Sequence, residues 1–263
     1  MTRGLFDLRG KVVLATGSNS GIGLGFLQGC AKHGASVVVW GRRTDKNAEA
    51  VKTLQSLGAP CVHTESVDVS DEAAVEAAFA STLKAMGRLD CVFANAGFSQ
   101  RAPSFSELTS QMYHELLGVA LHGGFYTLRA AARYMRERAL TGDPGGSLVA
   151  CGSLSLFHGL QGMEHYAAAK GALAAMIKGL AVEMGPYGVR ANMLVPGFIL
   201  TGFAADKPET QAVIKRFSAI TPLGRPGYIS DMEGPAAYLA SAASQFQTGT
   251  LLIVDGGRSV KAL

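Results

Sequence analysis

Ser153, Tyr166 and Lys170 are the residues of this 263-residue chain whose types and spacing best suit chemistry. Tyr166 and Lys170 stand four apart in Tyr166-Ala167-Ala168-Ala169-Lys170, a stretch that reads as helix, so both side chains fall on one face. An ammonium beside a phenol favours the phenolate. The spacing therefore predicts that Tyr166, which titrates near ~10 in a free peptide, is drawn down toward neutrality and serves as acid or base. Ser153 follows Ser147-Leu148-Val149-Ala150-Cys151-Gly152, an apolar run that reads as a buried parallel strand. Its hydroxyl emerges at the strand's carboxyl end, where open α/β sheets take ligands. Together the three imply a proton-donating site for carbonyl reduction. A tyrosine and a lysine four apart are, on their own, an ordinary exposed helix pair, and the surrounding elements decide between the two readings.

Near the amino terminus, residues 11–15 read as a strand and 24–33 as an amphipathic helix, joined by Thr16-Gly17-Ser18-Asn19-Ser20-Gly21-Ile22-Gly23. Glycines there let the backbone turn tightly and approach a pyrophosphate, while the helix start offers unpaired N–H groups and the positive end of its dipole. Strand, glycines and helix in this order predict a nucleotide. Further strand-like runs at 37–40, 60–67, 90–94, 146–151, 189–195 and 250–254 alternate with helical periods, the pattern of a parallel sheet. No repeat, low-complexity segment or domain boundary interrupts it.

A net charge of +4, with no basic block, gives no nucleic-acid signal. Cys30, Cys61, Cys91 and Cys151 are far apart among apolar neighbours and read as buried reduced thiols. The sequence shows no signal peptide, no membrane span and no metal-ligand spacing, so a cytoplasmic, metal-free protein is expected.

With the glycine turn and the Ser153, Tyr166, Lys170 set in place, Asn95-Ala96-Gly97 after an apolar run, Pro196-Gly197 followed by Thr201, and Asp255-Gly256-Gly257 near the end complete a resemblance to the short-chain dehydrogenase/reductase family over nearly the whole chain. The resemblance implies one Rossmann-type domain spanning 1–263, an α/β fold with a doubly wound parallel sheet of about seven strands. It also implies reversible hydride transfer between a nicotinamide cofactor and a ketone or secondary alcohol. Tyr166 would then protonate the carbonyl oxygen, Ser153 would hydrogen-bond it, and Lys170 would hold the nicotinamide ribose. Cofactor contacts are expected from Gly17, Ser18, Asn19, Ser20, Gly21, Ile22 and Gly23 in the turn, and from Gly41, Arg42 and Arg43 after the second strand. Further along they are expected from Asp68 and Val69, from Asn95, Ala96 and Gly97, from Tyr166 and Lys170 themselves, and from Pro196, Gly197, Ile199 and Thr201. Glycine stands at position 41 where an acid would bind the ribose hydroxyls of NAD, and Arg42 follows. NADP(H) is therefore the expected cofactor, with NAD(H) possible.

The chain departs from the family pattern at Ala120, in Val119-Ala120-Leu121-His122-Gly123, where an asparagine usually supports a water beside the lysine; His122 is a candidate replacement. Phe98, Ser99, 155–161, Met163, His165 and 198–217 should line the substrate pocket, with Phe157, Leu160, Phe203 and Phe217 making it mostly apolar and His158 and His165 polar rim residues. Arg133, Arg136 and Arg138 leave open a 3-oxoacyl carrier-protein reductase, or else form a solvated helix face. The small-residue helix 167–181 suits close packing in a homotetramer or homodimer. An NADP(H)-binding regulator with little catalysis is the other reading, although a pure binder needs no phenol.

Overall fold

Apolar strands bounded by turn residues pair in the order β3-β2-β1-β4-β5-β6-β9, every neighbour parallel. In the computed structural model, which describes residues 4–201 and 208–261, these are β1 Val12–Thr16, β2 Ser36–Trp40, β3 Val62–Glu65, β4 Cys91–Ala94, β5 Gly146–Cys151, β6 Val189–Pro196 and β9 Leu251–Val254. Two short strands, β7 Ile199–Leu200 and β8 Gly227–Tyr228, make a separate ladder. The helices are α1 Gly21–Lys32, α2 Thr44–Ser56, α3 Glu72–Met86, α4 Ser110–Leu117, α5 Gly123–Leu140, α6 Glu164–Met184, α7 Pro208–Ile220 and α8 Glu233–Ala240.

Alternate residues of each strand enter opposite cores, as a strand's two-residue period requires. Leu14, Val38, Val92, Leu148 and Met193 face the layer that holds α3, α5 and α6, whereas Val13, Val37, Phe93, Val149 and Leu194 face α1, α2 and α8. Both faces of the central strands are covered, so β1, β2, β4, β5 and β6 are buried almost throughout and read as continuous apolar runs, whereas the edge strands β3 and β9 are only half-buried. At Gly29 an added Cβ would run into the Glu233 backbone, and that glycine lets α1 lie against α8.

The third strand is shorter than the expected 60–67, covering only Val62–Glu65, because its flanks carry no partner on β2 beyond Val37–Trp40. The first helix begins at Gly21 rather than at 24, directly after the turn. Of the cysteines, Cys30, Cys91 and Cys151 are buried and Cys61 is exposed, a correction to the reading of four buried thiols. Cys61 precedes β3 on the outer edge of the sheet, where one side has no neighbouring strand to cover it.

Strand order reverses between β1 and β4, the place where open α/β sheets leave a crevice above the strands' carboxyl ends. Among the described residues no helix is long and apolar enough to cross a membrane.

Candidate active site at the carboxyl ends of the strands

Two adjoining clefts occupy that crevice. One of about 460 Å³ is lined by Gly17, Ser20, Gly21, Ile22, Phe98, Ser99, Ser153, Tyr166, Lys170, Pro196, Gly197 and Thr201, among others. The other, of about 490 Å³, runs past Asn19, Gly41, Arg42, Arg43, Asp68, Val69, Asn95 and Ala96. Gly17, Ser20, Asn95, Gly97 and Phe98 belong to both, so the clefts are continuous.

The turn fits a nucleotide diphosphate on its own geometry. Gly17 has φ +62° and Gly21 φ +59°, conformations that side chains disfavour. A Cβ at Gly23 would lie 2.8 Å from the Gly17 carbonyl and 2.9 Å from Ser18 Cα, so only glycine allows α1 to start this close to the loop. Ser20, at the cap position of α1, makes no side-chain cap and the first turn holds no acid. The leading N–H groups thus remain available to an anion.

Around the turn every polar anchor is paired. Thr16 Oγ1 accepts from the N–H groups of Asn95 (3.0 Å) and Ala96 (2.9 Å), and Asn95 Nδ2 donates back to the Thr16 carbonyl (2.9 Å), tying β1 to β4. Buried Asn47 donates to the carbonyls of Gly41 and Glu65, fixing the end of β2 against β3. Neither Thr16 nor Asn47 stood out in the sequence as a site residue. A threonine directly before the glycine turn was the available signal for the first. Arg42 is 69% exposed and lies 3.8 Å from Asp68, whose carboxyl is held below the usual range chiefly by the Ser70 hydroxyl (2.7 Å), with Arg42 adding to it. Asp71, not Asp68, caps α3, so Asp68 is free of that structural duty.

Three of the expected cofactor residues line neither cleft. Ser18 is fully buried and its hydroxyl donates to the Ala15 carbonyl, Gly23 serves the close packing just described, and Ile199 turns its side chain into the core beside Gly227. The turn and the segment after β6 use these three residues as internal supports.

Ser153, Tyr166 and Lys170 converge on one cleft. β5 ends at Cys151 and delivers Ser153 to its rim, where Ser153 Oγ accepts from the Ser155 N–H (3.2 Å) and the hydroxyl shares the cleft with the Tyr166 phenol. One helical turn beyond Tyr166, the Lys170 ammonium sits 5.8 Å from the phenol ring centre and donates to the Cys151 carbonyl (2.7 Å). The direction of the phenol's shift is opposite to the one expected from spacing. Burial pushes Tyr166 up, the Cys151 thiol adds to this, and the neighbouring Ser153 hydroxyl only partly opposes it; burial likewise pushes Lys170 down. Desolvating a phenolate outweighs a cation that is itself buried and engaged elsewhere.

Ala120 is buried within a π-helical turn, Gly118–His122, that joins α4 to α5. A methyl at Gly97 would lie 3.8 Å from Lys170 Nζ and 3.9 Å from Ala120 Cβ, so Gly97 borders both the amine and the alanine that stands where an amide was expected. His122 does not replace it, being exposed with its ring against Tyr126. The Cys151 carbonyl holds the amine instead.

On the substrate side, Phe98 and Ser99 line the cleft as expected. Phe217 stacks on Phe198 at 3.6 Å, packing the segment after β6 rather than presenting an open apolar wall, and Phe203 lies outside the described residues. Phe157 and Leu160 are exposed. His165 is 1% exposed, not a rim residue, because α6 turns it inward beside Tyr166.

A family model described as Enoyl-(Acyl carrier protein) reductase matches residues 16–259. The chain is 33% identical over 254 residues to an L-rhamnose 1-dehydrogenase (NAD(P)(+)) of Sphingomonas sp. strain SKA58, covering 96% of this chain and 98% of that protein. Two solved structures superpose on nearly the whole chain. A short-chain type dehydrogenase/reductase from Mycobacterium marinum gives a TM-score of 0.88 at 29% identity, with 98% of each chain covered. A gluconate 5-dehydrogenase from Burkholderia cenocepacia J2315, solved with NADP and tartrate, gives 0.87 at 32% identity, again with 98% of each covered. The chain belongs to the short-chain dehydrogenase/reductase family of NAD(P)-dependent oxidoreductases.

Proposed function

We propose that this chain is an NADP(H)-preferring oxidoreductase that interconverts a secondary alcohol and a ketone, with Ser153, Tyr166 and Lys170 as its catalytic residues. The observation that carries it is the opening of all three into one cleft that continues, past Gly17 and Asn95, to the uncapped start of α1 and to Arg42. Bound along that cleft, the nicotinamide cofactor supplies or accepts the hydride. In reduction, Tyr166 gives its proton to the substrate oxygen while Ser153 donates a hydrogen bond to the same oxygen. A phenol pushed upward by burial stays protonated at neutral pH and is therefore ready as an acid; alcohol oxidation needs the phenolate and gains with rising pH. Lys170, anchored on the Cys151 carbonyl, brings positive charge to the floor of the cleft. Arg42, exposed at the end of β2 with no acid at position 41, supports the preference for a 2′-phosphate.

Small alcohols suit the site better than an acyl chain on an acidic carrier. Arg133 pairs with Glu76 at 2.5 Å, Arg136 donates to the Tyr187 hydroxyl, and Arg138 is spent on the Leu89 and Gly145 carbonyls, so these arginines make no free basic patch. A groove of about 330 Å³ between α5 and α6, lined by Phe125, Met176 and Leu180, supports assembly with a second copy, and free cysteines support a reducing compartment such as the cytoplasm. The test is turnover of a panel of secondary alcohols with NADP+ and with NAD+, followed by the absorbance of reduced nicotinamide. Turnover that favours NADP+ sustains the proposal; binding of NADP+ without any turnover returns the regulator reading.

A further inference from the structure

Position 41, at the end of β2, is a glycine for want of space and not for its backbone angle. Gly41 is absent from the glycines that hold a positive φ, so its backbone is open to other residues. A Cβ built on it would overlap Asn19 Nδ2 and would lie 2.6 Å from Asn47 Oδ1 and 2.7 Å from Asn19 Cγ. Those atoms are the two ends of one hydrogen bond, from Asn19 Nδ2 to Asn47 Oδ1 (2.8 Å).

A clash with the tip of a side chain is ordinarily relieved by moving the tip. Here the tip is pinned. Asn47 is 4% exposed and gives its amide hydrogens to the carbonyls of Gly41 (3.0 Å) and Glu65 (3.2 Å), so turning it aside breaks every bond its amide makes. Asn19 can swing away only by abandoning the buried Asn47 oxygen. The same asparagine steadies the turn that follows β2: the Gly41 carbonyl accepts from Asn47 Nδ2, the Arg43 carbonyl from the Asn47 N–H (2.9 Å), and the Arg42 carbonyl from Ser66 Oγ (3.2 Å). Asn19, Gly41, Arg42 and Arg43 line the nucleotide cleft, with Asn47 behind them.

An acid at this point of the sheet would take the ribose hydroxyls of NAD and repel a 2′-phosphate. Resting on the NADP(H) reading above, we propose that the Asn19–Asn47 hydrogen bond is a specificity lock: it fills the volume beside Gly41, keeps an acid out of that position, and holds the 41–43 turn so that Arg42 and Arg43 meet a 2′-phosphate. Asn47 is then a positioning residue, acting on the nucleotide through Asn19 and the turn. Packing and charge select the cofactor together, and charge alone does not reverse the choice.

The experiment measures Kd for NADP+ and NAD+ by calorimetry on the unmodified chain, Gly41→Ala, Gly41→Asp, Asn47→Ala and Gly41→Asp/Asn47→Ala, each below its own melting temperature. Gly41→Ala adds no charge, yet it should weaken NADP+ by about tenfold. Gly41→Asp should weaken NADP+ by about 10²-fold without tightening NAD+. With Asn47→Ala already in place, the same aspartate should tighten NAD+ by about tenfold and make it the preferred nucleotide. A purely structural asparagine gives no such coupling. Where Asn47→Ala does not fold, Asn19→Ser breaks the same bond and leaves the Asn47 amide on the Gly41 and Glu65 carbonyls, and paired with Gly41→Asp it should recover part of the gain in NAD+ affinity. Reversal of the preference by Gly41→Asp alone, unchanged NADP+ affinity in Gly41→Ala, or losses that simply add in the double variant would overturn the lock and leave the NADP(H) reading standing. Equal or tighter NAD+ binding by the unmodified chain would remove that reading and the lock with it.

Discussion

The two ends of the crevice are built to different standards of hydrogen bonding. On the nucleotide side, Thr16, Asn19, Asn47 and Asn95 cross-link β1, β2, β3 and β4, and the residues of the glycine turn leave no buried side-chain atom unpaired. On the substrate side, Ser155, Glu164 and His165 leave four buried side-chain atoms without partners within one turn and one loop of Tyr166. The difference teaches where each ligand's recognition resides. The nucleotide side offers backbone N–H groups and a shape that only glycine permits, and its side chains pair with one another. On the substrate side the groups that open into the cleft are side chains, Ser153, Tyr166 and Lys170.

The contrast breaks most sharply at Tyr166, where both halves meet. Tyr166→Phe keeps the ring and removes the proton, so kcat should fall by about 10² to 10⁴ while the affinity for NADP+ is unchanged, as read by single-substrate kinetics and nucleotide titration. Near-normal turnover would remove Tyr166 from the mechanism. Because burial raises the phenol, alcohol oxidation in the unmodified chain should climb by up to about tenfold per pH unit between pH ~7 and ~9, while ketone reduction stays level over the same range. A plateau of oxidation at neutral pH would show that the phenol is drawn down after all. Gly23→Ala tests the close approach at the turn. The added methyl meets Asn95 Nδ2, the Gly17 carbonyl and Ser18, opening the phosphate turn, so nucleotide affinity should fall by about 10² by calorimetry. An unchanged Kd would mean that side chains, not this close approach, hold the nucleotide.

How much of this was legible before any coordinates depends on the range of the interaction involved. β5 and β6 could be read almost to the residue, because each is an apolar run buried on both faces and bounded by turn residues. The glycine turn and the Tyr166/Lys170 face were equally plain, since their logic is local in sequence. β7 and β8 were invisible: two residues each, they pair Ile199 with Gly227 across a long interval and carry no period of their own. The phenol's direction was missed because spacing reveals a neighbouring charge but not the depth of burial that opposes it. His165 was misplaced for a related reason. One residue from a cleft-facing tyrosine on a helix, a side chain turns about a quarter of the way round, and whether that direction meets solvent or the protein interior is a tertiary fact.

A smaller effect separates cofactor specificity from cofactor affinity. Arg42 is exposed and only loosely paired with Asp68, so its charge is available at little cost. Arg42→Ala should weaken NADP+ by about tenfold and leave NAD+ unchanged, a selective loss that a general disturbance of the turn would not produce. Equal weakening of both nucleotides would move the specificity to Arg43 or elsewhere.

The smallest expected effect concerns stability. Lys170 is buried, burial lowers its pKa, and one hydrogen bond to the Cys151 carbonyl is the compensation it receives from the chain. A lysine whose folded pKa is depressed destabilises the fold at every pH below that value, and the penalty fades only as pH rises through the window between the folded and unfolded pKa values. Lys170→Met, of similar length and uncharged, removes the penalty and forfeits about 1 kcal/mol of hydrogen bonding. Without nucleotide, its Tm at neutral pH should equal or exceed that of the unmodified chain by a few degrees, while its turnover collapses. The rise in Tm that the unmodified chain shows on the alkaline side should be absent. A clear drop in Tm would instead mean that the ammonium supports the floor of the cleft as well as serving it, and the division between a self-paired nucleotide half and a substrate half that opens side chains into the cleft would have to be redrawn through Lys170.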